Sequence, residues 1–300
     1  MDSRLGARLL LATLWLLHWL PLALLAPVGR AVGLLLFALA GSRRRVVLRN
    51  LELCLPEIGL GGRRALAREH FQWLGRSIVE RGLLWYASPS RLKTLIRVEG
   101  DVQLAQHSER PVMWLVPHFM ALDVAGVATQ LFQTQWVASI YQQQSDAVMD
   151  AAIRRGRLRF GQGEVFPRSE SAKPLLRAIR KGVAFFNLPD MDYGARDAAF
   201  VPFFGVPAAT LLAPSRMARA MNMVVQPVVA HMLPGGQGYV VRFLPPWDGF
   251  PSADALADTA RMNRWIEDEI RAHPAQYLWV HKRFKTRPAG EPDLYAASDN

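Results

Sequence analysis

Residues 112–123 read Val112-Met-Trp-Leu-Val-Pro-His118-Phe-Met-Ala-Leu-Asp123, an apolar run that ends in a histidine, with an aspartate five positions later. The apolar part, Val112–Val116, predicts a buried strand. His118 would then lie at the carboxyl edge of a sheet, where α/β proteins usually place their sites. Because imidazole titrates near neutrality, His118 is a candidate general base, and Asp123 is a candidate carboxylate partner.

Both residues also have a purely structural interpretation. His118 could be a surface histidine in a strand-to-helix loop, and Asp123 could complement the dipole at a helix N-terminus. On a straight helix, side chains five positions apart point about 140° away from each other. The two residues can therefore meet only if His118 lies on the turn and Asp123 lies in the first helical turn.

The chain around this block alternates between short β-rich runs and helical patterns, which predicts a layered α/β domain with a mostly parallel sheet. A helical stripe runs from Arg63 to Tyr86. The further strands predicted are Trp136–Tyr141, Val183–Leu188, Val224–Ala230 and Tyr239–Leu244. The further helices predicted are Ser145–Phe160, Ser171–Lys181, Leu211–Met221 and Ala253–Ala272.

The N-terminal stretch Leu9–Pro27 is apolar apart from Thr13, His18 and Pro21. It is just long enough to span the hydrocarbon core of a bilayer. A cleaved signal peptide is the alternative, but no convincing small-x-small cleavage site follows. We predict a retained membrane anchor in residues 1–42, which either spans the bilayer or lies in one leaflet, because prolines interrupt the run.

We predict a main domain in residues 43–290 and a loose C-terminal tail in residues 291–300. The basic residues that follow the anchor, among them Arg43 and Arg49, place this domain on the cytoplasmic face by the positive-inside bias. Cys54 is the single cysteine, so an intramolecular disulfide and a multi-cysteine metal site are excluded. We expect Cys54 to have a small, apolar packing role.

The net charge of +11 predicts attraction to polyanions such as nucleic acid, a phospholipid surface or a phosphorylated lipid. The chain has no zinc knuckle, RNP-type strand or long Lys-rich tail, and the apolar N-terminus favours a membrane over nucleic acid. The histidines lack HxH or HExxH spacing, so we expect no metal and no other cofactor. The absence of a GxSxG motif argues against an acyl-serine intermediate.

Three further sets of residues are candidates for a functional role. Asp190 and Asp192 follow the predicted strand Val183–Leu188 and could bind cations, or could form an Asx-rich turn. The basic clusters in residues 154–159 and 281–287 could clamp phosphate, or could be solvated surface. The loop Val201–Ala208 could line an acyl-chain pocket, or could pack in the core.

Together these segments resemble the lysophospholipid acyltransferase superfamily, and more closely the late acyltransferases of bacterial lipid A biosynthesis. The HxxxxD box at His118–Asp123 is shared with the superfamily. The blocks that resemble the lipid A branch are Arg44-Arg-Val-Val-Leu-Arg-Asn-Leu51 with Cys54-Leu-Pro-Glu57, Pro189-Asp-Met-Asp-Tyr-Gly194 with Phe200-Val-Pro-Phe-Phe-Gly205, and Gln276-Tyr-Leu-Trp-Val-His-Lys-Arg-Phe-Lys-Thr-Arg-Pro288.

The resemblance implies a fatty-acyl transfer from acyl carrier protein to a 3-hydroxyacyl chain of an anionic lipid A precursor at the inner membrane, giving an acyloxyacyl ester. It implies that His118 is the base and Asp123 its partner, and that Arg157 and Asp190 belong to the catalytic set. Arg157 would contact either the oxyanion or a lipid phosphate. The candidate substrate-binding residues are Asp192, Tyr193, Arg155, Lys282, Arg283, Lys285 and Arg287.

The chain departs from the family pattern at two places. Relatives often carry Glu at the Asp123 position, and Ile140–Asp146 lacks the usual Tyr-Arg-Pro-like sequence. An acyltransferase for another lipid acceptor, such as a lysophospholipid or glycolipid, is the alternative within enzymes. A non-catalytic membrane protein that holds anionic lipid is the alternative from another class.

Overall fold

The fold is a layered α/β arrangement, described for residues 3–296 by a computed structural model. The strands are β1 (Ile96–Gly100), β2 (Val112–Leu115), β3 (Val137–Tyr141), β4 (Gly163–Pro167), β5 (Ala184–Asn187), β6 (Ala198–Phe203), β7 (Val206–Leu211), β8 (Val224–Met232) and β9 (Tyr239–Phe243). The helices are α1 (Ser3–Leu17), α2 (Leu22–Leu39), α3 (Gly41–Cys54), α4 (Leu60–Val79), α5 (Arg81–Tyr86), α6 (Pro89–Leu95), α7 (Leu104–His107), α8 (Leu122–Leu131), α9 (Ala147–Leu158), α10 (Lys173–Arg180), α11 (Ala213–Ala220) and α12 (Ala255–Ala272).

Within residues 3–296, seven strands form one sheet in the order β1-β9-β8-β2-β5-β3-β4. The strands β8, β2, β5, β3 and β4 run parallel, and β9 reverses direction beside β8. This architecture confirms the predicted fold class. The strands predicted from the apolar runs are confirmed within a few residues at their ends.

The strands that the sequence pattern missed lie at the edges of the main sheet or outside it. Strand β4 is an edge strand that contains Gly163 and Pro167, and β6 and β7 pair as a separate antiparallel hairpin. Prolines within these segments made them resemble loops. In this hairpin Phe203 and Ala208 are fully buried, so the core interpretation of Val201–Ala208 is confirmed over the acyl-pocket interpretation.

The predicted helices are also confirmed, with one subdivision. The stripe from Arg63 to Tyr86 forms α4 and α5, which meet at Glu80. Backbone hydrogen bonds continue across this junction, from Glu80 N–H to the Arg76 carbonyl and from Leu84 N–H to the Glu80 carbonyl. The division is therefore a local irregularity in one nearly continuous rod.

Both faces of strand β2 are covered, which explains its unbroken apolar sequence. Trp114 belongs to a buried cluster with α8 on one face, and Met113 and Leu115 belong to a second cluster with α10, α11 and α12 on the other. Alternate residues of a strand point to opposite faces, so a strand between two layers must be apolar throughout. Cys54 is buried in the second cluster, and burial raises the pKa of its thiol, as expected for a packing role.

The N-terminal segment is two helices rather than one continuous anchor. Leu9–Pro27 is divided at His18–Pro21, because Pro21 lacks an N–H and disfavours helical geometry in the residue before it. The Arg91 guanidinium donates to the carbonyls of His18 and Leu20, which the break leaves without helical partners. By length and composition, α2 could cross a membrane, with a mean hydropathy of 2.1.

Helix α2 packs directly on the rest of the protein. A Cβ atom at Gly33 would lie 2.0 Å from the Phe71 carbonyl oxygen, and one at Gly75 would lie 2.2 Å from the Gly29 carbonyl oxygen. Only glycines allow α2 and α4 to approach this closely. Leu22 belongs to the same buried cluster as the sheet, so the predicted boundary near residue 42 does not separate two independent cores.

The C-terminal tail is held over part of its predicted range. Arg49 donates to the Leu294 carbonyl, and the Tyr295 hydroxyl accepts from Phe284 N–H and contacts the Asn50 amide oxygen. Residues 291–296 are thus attached to α3, which contradicts the prediction that they are loose. Residues 297–300 of that predicted tail lie outside the described residues.

Candidate active site

His118 lies in the loop between β2 and α8, at the carboxyl edge of the sheet. Leu278 N–H donates to the His118 carbonyl over 2.9 Å, and Met120 N–H donates to the Gln276 carbonyl over 2.8 Å. These bonds hold the loop against the start of residues 276–288, which we call the C-terminal block. His118 is buried, with 9% of its surface exposed.

The carboxylate that binds the His118 ring is Asp190. The Nδ1–H of His118 donates to Asp190 Oδ1 over 2.6 Å, and the His118 backbone N–H donates to Asp190 Oδ2 over 2.9 Å. Asp190 follows β5, the parallel neighbour of β2, and is 1% exposed. Since a carboxylate can only accept, this pairing fixes the Nδ1 proton and leaves Nε2 free to take one.

The charge state of Asp190 follows from this pairing. Burial by itself would raise the pKa of the Asp190 carboxyl, but the charge on His118 and the two hydrogen bonds from it outweigh burial. The pKa of Asp190 is therefore below its usual range. An ionised carboxylate here stabilises the imidazolium that forms when His118 accepts a proton.

Asp123 has a different partner from the one that the sequence predicted. It lies in the first turn of α8, and Oδ2 contacts Arg81 Nη2 at 2.6 Å, while Oδ1 lies 4.0 Å from Arg157 Nη2. Among residues 3–296 no hydrogen bond joins Asp123 to His118, because the ring nitrogen Nδ1 is directed to Asp190 instead. The carboxylate hydrogen-bonded to the imidazole is therefore Asp190, and the predicted partnership of Asp123 with His118 is limited here to an electrostatic contribution.

Asp123 nevertheless belongs to the site. Burial by itself would raise its pKa, but the guanidinium groups of Arg81 and Arg157 outweigh burial and hold the pKa below its usual range, with a smaller contribution from His118. Asp123 therefore joins two cations beside His118. Arg81 had not been predicted, and its only sequence signal is its position next to Glu80, just before the apolar run that ends at Tyr86.

Two cavities meet at His118, each large enough for part of an acyl chain. The first, of about 440 Å³, we call the sheet-side cavity, and the second, of about 410 Å³, the helix-side cavity. His118, Tyr141, Arg157 and Leu188 border both. The sheet-side cavity is lined by Ile140, Phe185, Met191, Leu211, Pro214 and Met217, and the helix-side cavity by Leu74, Ile78, Arg81, Trp85, Asp123 and Leu278.

Arg157 is the predicted arginine that faces this junction. It lies in the last turn of α9, and its side chain is 32% exposed. Arg155, two positions earlier, is fully exposed and borders neither cavity in the described part of the chain. The structure therefore brings Arg157 into the site and leaves Arg155 outside it.

The Asp190–Gly194 block contains one structural acid. Asp192 accepts from the N–H groups of Gly194 and Thr286 and from the Thr286 hydroxyl, and its own N–H donates to His281 Nε2. The Asp192 carboxylate is occupied by protein donors, although the residue also borders the sheet-side cavity, so its contact with substrate stays a prediction. Tyr193 does line the sheet-side cavity, under the Arg168 guanidinium at 3.7 Å from the ring centre.

His281 is a neighbour of the site that the sequence had assigned only to a basic cluster. Burial, followed by the charge on His118, lowers the pKa of His281 to about 4. It is therefore neutral near pH 7 and accepts a hydrogen bond from Asp192 N–H. This arrangement holds the chain after Asp190 against the C-terminal block.

The basic residues of that block are mainly structural. Arg283 is 2% exposed and donates to the Ala209 carbonyl and the Thr210 hydroxyl, and Arg287 donates to the Pro207 carbonyl and pairs with Glu291. A buried guanidinium must find acceptors inside the protein. Arg283 and Arg287 brace the β6–β7 hairpin through these bonds, and neither borders the sheet-side or the helix-side cavity in the described part of the chain. Their predicted contact with substrate has no support in this geometry.

The two lysines of the block also lie outside the cavities. The Lys282 ammonium lies 5.3 Å from the centre of the Tyr295 ring, and Lys285 is exposed. Neither side chain borders the sheet-side or the helix-side cavity in residues 3–296. Their predicted contact with substrate has no support in this geometry.

Comparison with known proteins gives a consistent result across nearly the whole chain. The model of the family described as bacterial lipid A biosynthesis acyltransferase matches residues 2–286. The lipid A biosynthesis palmitoleoyltransferase of Escherichia coli K12 is 33% identical over 95% of this chain and 92% of its own length. The lauroyltransferase of the same organism is 32% identical over 95% and 93%, and the myristoyltransferase is 30% identical over 92% and 84%.

Proposed function

Because this chain belongs to the bacterial lipid A biosynthesis acyltransferases, we propose that it moves a fatty acyl group from acyl carrier protein to a lipid A precursor. The acceptor is the hydroxyl of a 3-hydroxyacyl chain, and the product is an acyloxyacyl ester. The observation that carries the proposal is the His118–Asp190 pair, which lies where the mainly apolar sheet-side cavity meets the helix-side cavity, whose lining is both polar and apolar.

The proposed chemistry follows from the free Nε2 atom of His118. Nε2 removes the proton of the acceptor hydroxyl as the hydroxyl oxygen attacks the carbonyl carbon of the thioester. The tetrahedral intermediate then collapses, the C–S bond breaks, and the departing sulfur takes the proton from the imidazolium. A placed general base contributes about 10²–10⁴-fold, and a cation or donor at the oxyanion contributes a similar amount. Arg157 is the nearest cation that borders both cavities.

An acidic carrier protein as donor is supported by the surface beside the sheet-side cavity. Residues 171–189 and 198–247 contain no Asp or Glu. Helix α11 contributes Pro214 and Met217 to the cavity wall. Exposed cations lie on α10 and α11 or directly next to them, and none of these forms an ion pair within residues 3–296. They are Lys173, Arg177, Arg180, Lys181, Arg216 and Arg219.

The proposed location is the inner membrane, with the catalytic domain on the cytoplasmic face. Exposed apolar side chains concentrate on α1, α2 and the turn between them, and include Trp15, Trp19, Leu24 and Leu39. A surface of this kind is costly in water, because each apolar side chain left exposed forgoes about 1.5–3 kcal/mol of burial free energy. The N-terminal helices therefore fit a lipid environment.

Mass spectrometry of a lipid A precursor incubated with the purified protein and a panel of acyl carrier protein thioesters tests the proposal. We expect a mass gain of one acyl group, and we expect His118→Ala to abolish it while circular dichroism and membrane association stay unchanged. Full activity of His118→Ala would remove His118 from the mechanism. No gain with any donor would leave another lipid acceptor as the substrate.

A further inference from the structure

Arg81, Asp123 and Arg157 form a small charged cluster on the wall of the helix-side cavity, next to His118. One carboxylate oxygen of Asp123 contacts Arg81 at 2.6 Å, and the other lies 4.0 Å from Arg157. The carboxylate thus holds two guanidinium groups at a common position. Without it, the two like charges would repel each other.

The cluster has unused positive charge and unused donors. Two guanidinium groups and one carboxylate leave a net charge of one positive unit. A guanidinium carries five N–H donors, and Arg157 has no other ion pair among residues 3–296. The Nε–H of Arg81 is buried without a hydrogen-bond partner in the same described range. That atom has almost no accessible surface, but the Arg81 and Arg157 side chains as a whole are 37% and 32% exposed, so their other N–H groups are available to a ligand.

We infer that Arg81 and Arg157 bind the phosphate group of the acceptor lipid, with Asp123 as the residue that positions them. This inference rests on the proposed function and adds to it the anchor of the acceptor. Guanidinium groups bind phosphate through paired N–H donors, with planar geometry that an ammonium group lacks. The ligand chemistry is a phosphate monoester beside an acyl chain.

The location of Arg81 also assigns the two cavities. Arg81 lines the helix-side cavity and does not border the sheet-side cavity. Leu74 and Ile78 of α4 line the same cavity, and α4 packs along α2, the helix apolar enough to enter a membrane. The phosphorylated lipid therefore occupies the helix-side cavity, and the donor chain occupies the sheet-side cavity beside the cationic helices α10 and α11.

The test compares Arg81→Gln with a control, Arg97→Gln. Arg97 lies on the edge strand β1, away from both cavities, and forms an exposed ion pair with Glu99. Each protein is assayed with a phosphorylated lipid A precursor and with the same lipid after phosphatase treatment. We expect Arg81→Gln to raise KM for the phosphorylated acceptor by about 10- to 100-fold, the range for a hydrogen bond to a charged group. KM for the dephosphorylated acceptor, and all constants of Arg97→Gln, should stay unchanged.

Arg81→Lys keeps the positive charge but loses the planar set of guanidinium N–H donors. We expect it to recover only part of the affinity for the phosphorylated acceptor that Arg81→Gln loses. Equal KM changes with both acceptors, or a loss confined to kcat, would overturn the inference and assign Arg81 to stability or to the oxyanion. Equilibrium binding of the two lipids in detergent micelles gives a readout without turnover. If the wild type transfers no acyl group yet prefers the phosphorylated lipid in an Arg81-dependent way, the phosphate site stands and the proposed reaction falls.

Discussion

Two aspartates lie beside His118, and their surroundings give them different tasks. Asp190 is 1% exposed and accepts two hydrogen bonds from His118. The Asp123 side chain is 29% exposed and makes its contact with Arg81. Identical carboxylates thus serve an imidazole in one case and a pair of guanidinium groups in the other, because burial and the nearest donor decide what a carboxylate does.

The largest effect that separates the two aspartates is expected from Asp190→Asn. The amide keeps the shape but loses the charge that stabilises the imidazolium, so we expect kcat to fall by about 10²–10⁴-fold, measured by acyl transfer under saturating donor. Asp258→Asn is the matched control, because Asp258 is also buried and accepts hydrogen bonds from Ser215 and Ser252 elsewhere in the fold. A comparable loss in that control would indicate general destabilisation instead.

A smaller effect is expected from Asp123→Asn. The arginines lose the ion that joins them, while the His118–Asp190 bonds remain, so kcat/KM for the phosphorylated acceptor should fall by about tenfold, the loss of one charged hydrogen bond. Asp123→Glu keeps the charge and should retain most of the activity. A loss from Asp123→Asn larger than that from Asp190→Asn would reverse the assigned roles and restore Asp123 as the partner of His118.

The smallest effect is a difference in the pH dependence of stability. The pKa of Asp190 is lowered in the folded state, so its contribution to the free energy of unfolding is present above the unfolded pKa, about 3.9, and is lost as pH falls through the lower folded value. In urea unfolding, the stability difference between wild type and Asp190→Asn should shrink as the pH falls below about 4. A difference that does not change with pH would show that Asp190 is not ionised in the folded protein.

The same experiment on Asp123→Asn sharpens the comparison. The pKa of Asp123 is lowered too, so the sign is the same, but part of its side chain is in contact with solvent. Solvent screens partly exposed ion pairs. We therefore expect the acid-sensitive part of the stability difference to be smaller for Asp123→Asn than for Asp190→Asn.

The amino-acid sequence by itself determined the class of the fold and the central strands and main helices, but not the edge strand β4 or the β6–β7 hairpin. Val112–Val116 is apolar at every position because layers cover both of its faces, and the alternation of such runs with amphipathic helices predicted the parallel sheet. The loop position of His118 followed from the same local pattern. These features depend on periodicity within a few residues, which is visible in a linear sequence.

Only the tertiary structure decided which side chains meet. Asp190 reaches His118 because β2 and β5 are neighbours in register, with Leu115 opposite Asn187, and strand order is not encoded in either strand alone. In the sequence Arg283 resembles a phosphate ligand, but in the fold the β6–β7 hairpin encloses it. Arg81 resembles an ordinary helical cation, but in the fold α8 places Asp123 beside it. Local periodicity specifies elements, whereas burial and contacts between distant segments set the protonation and the role of each charged residue.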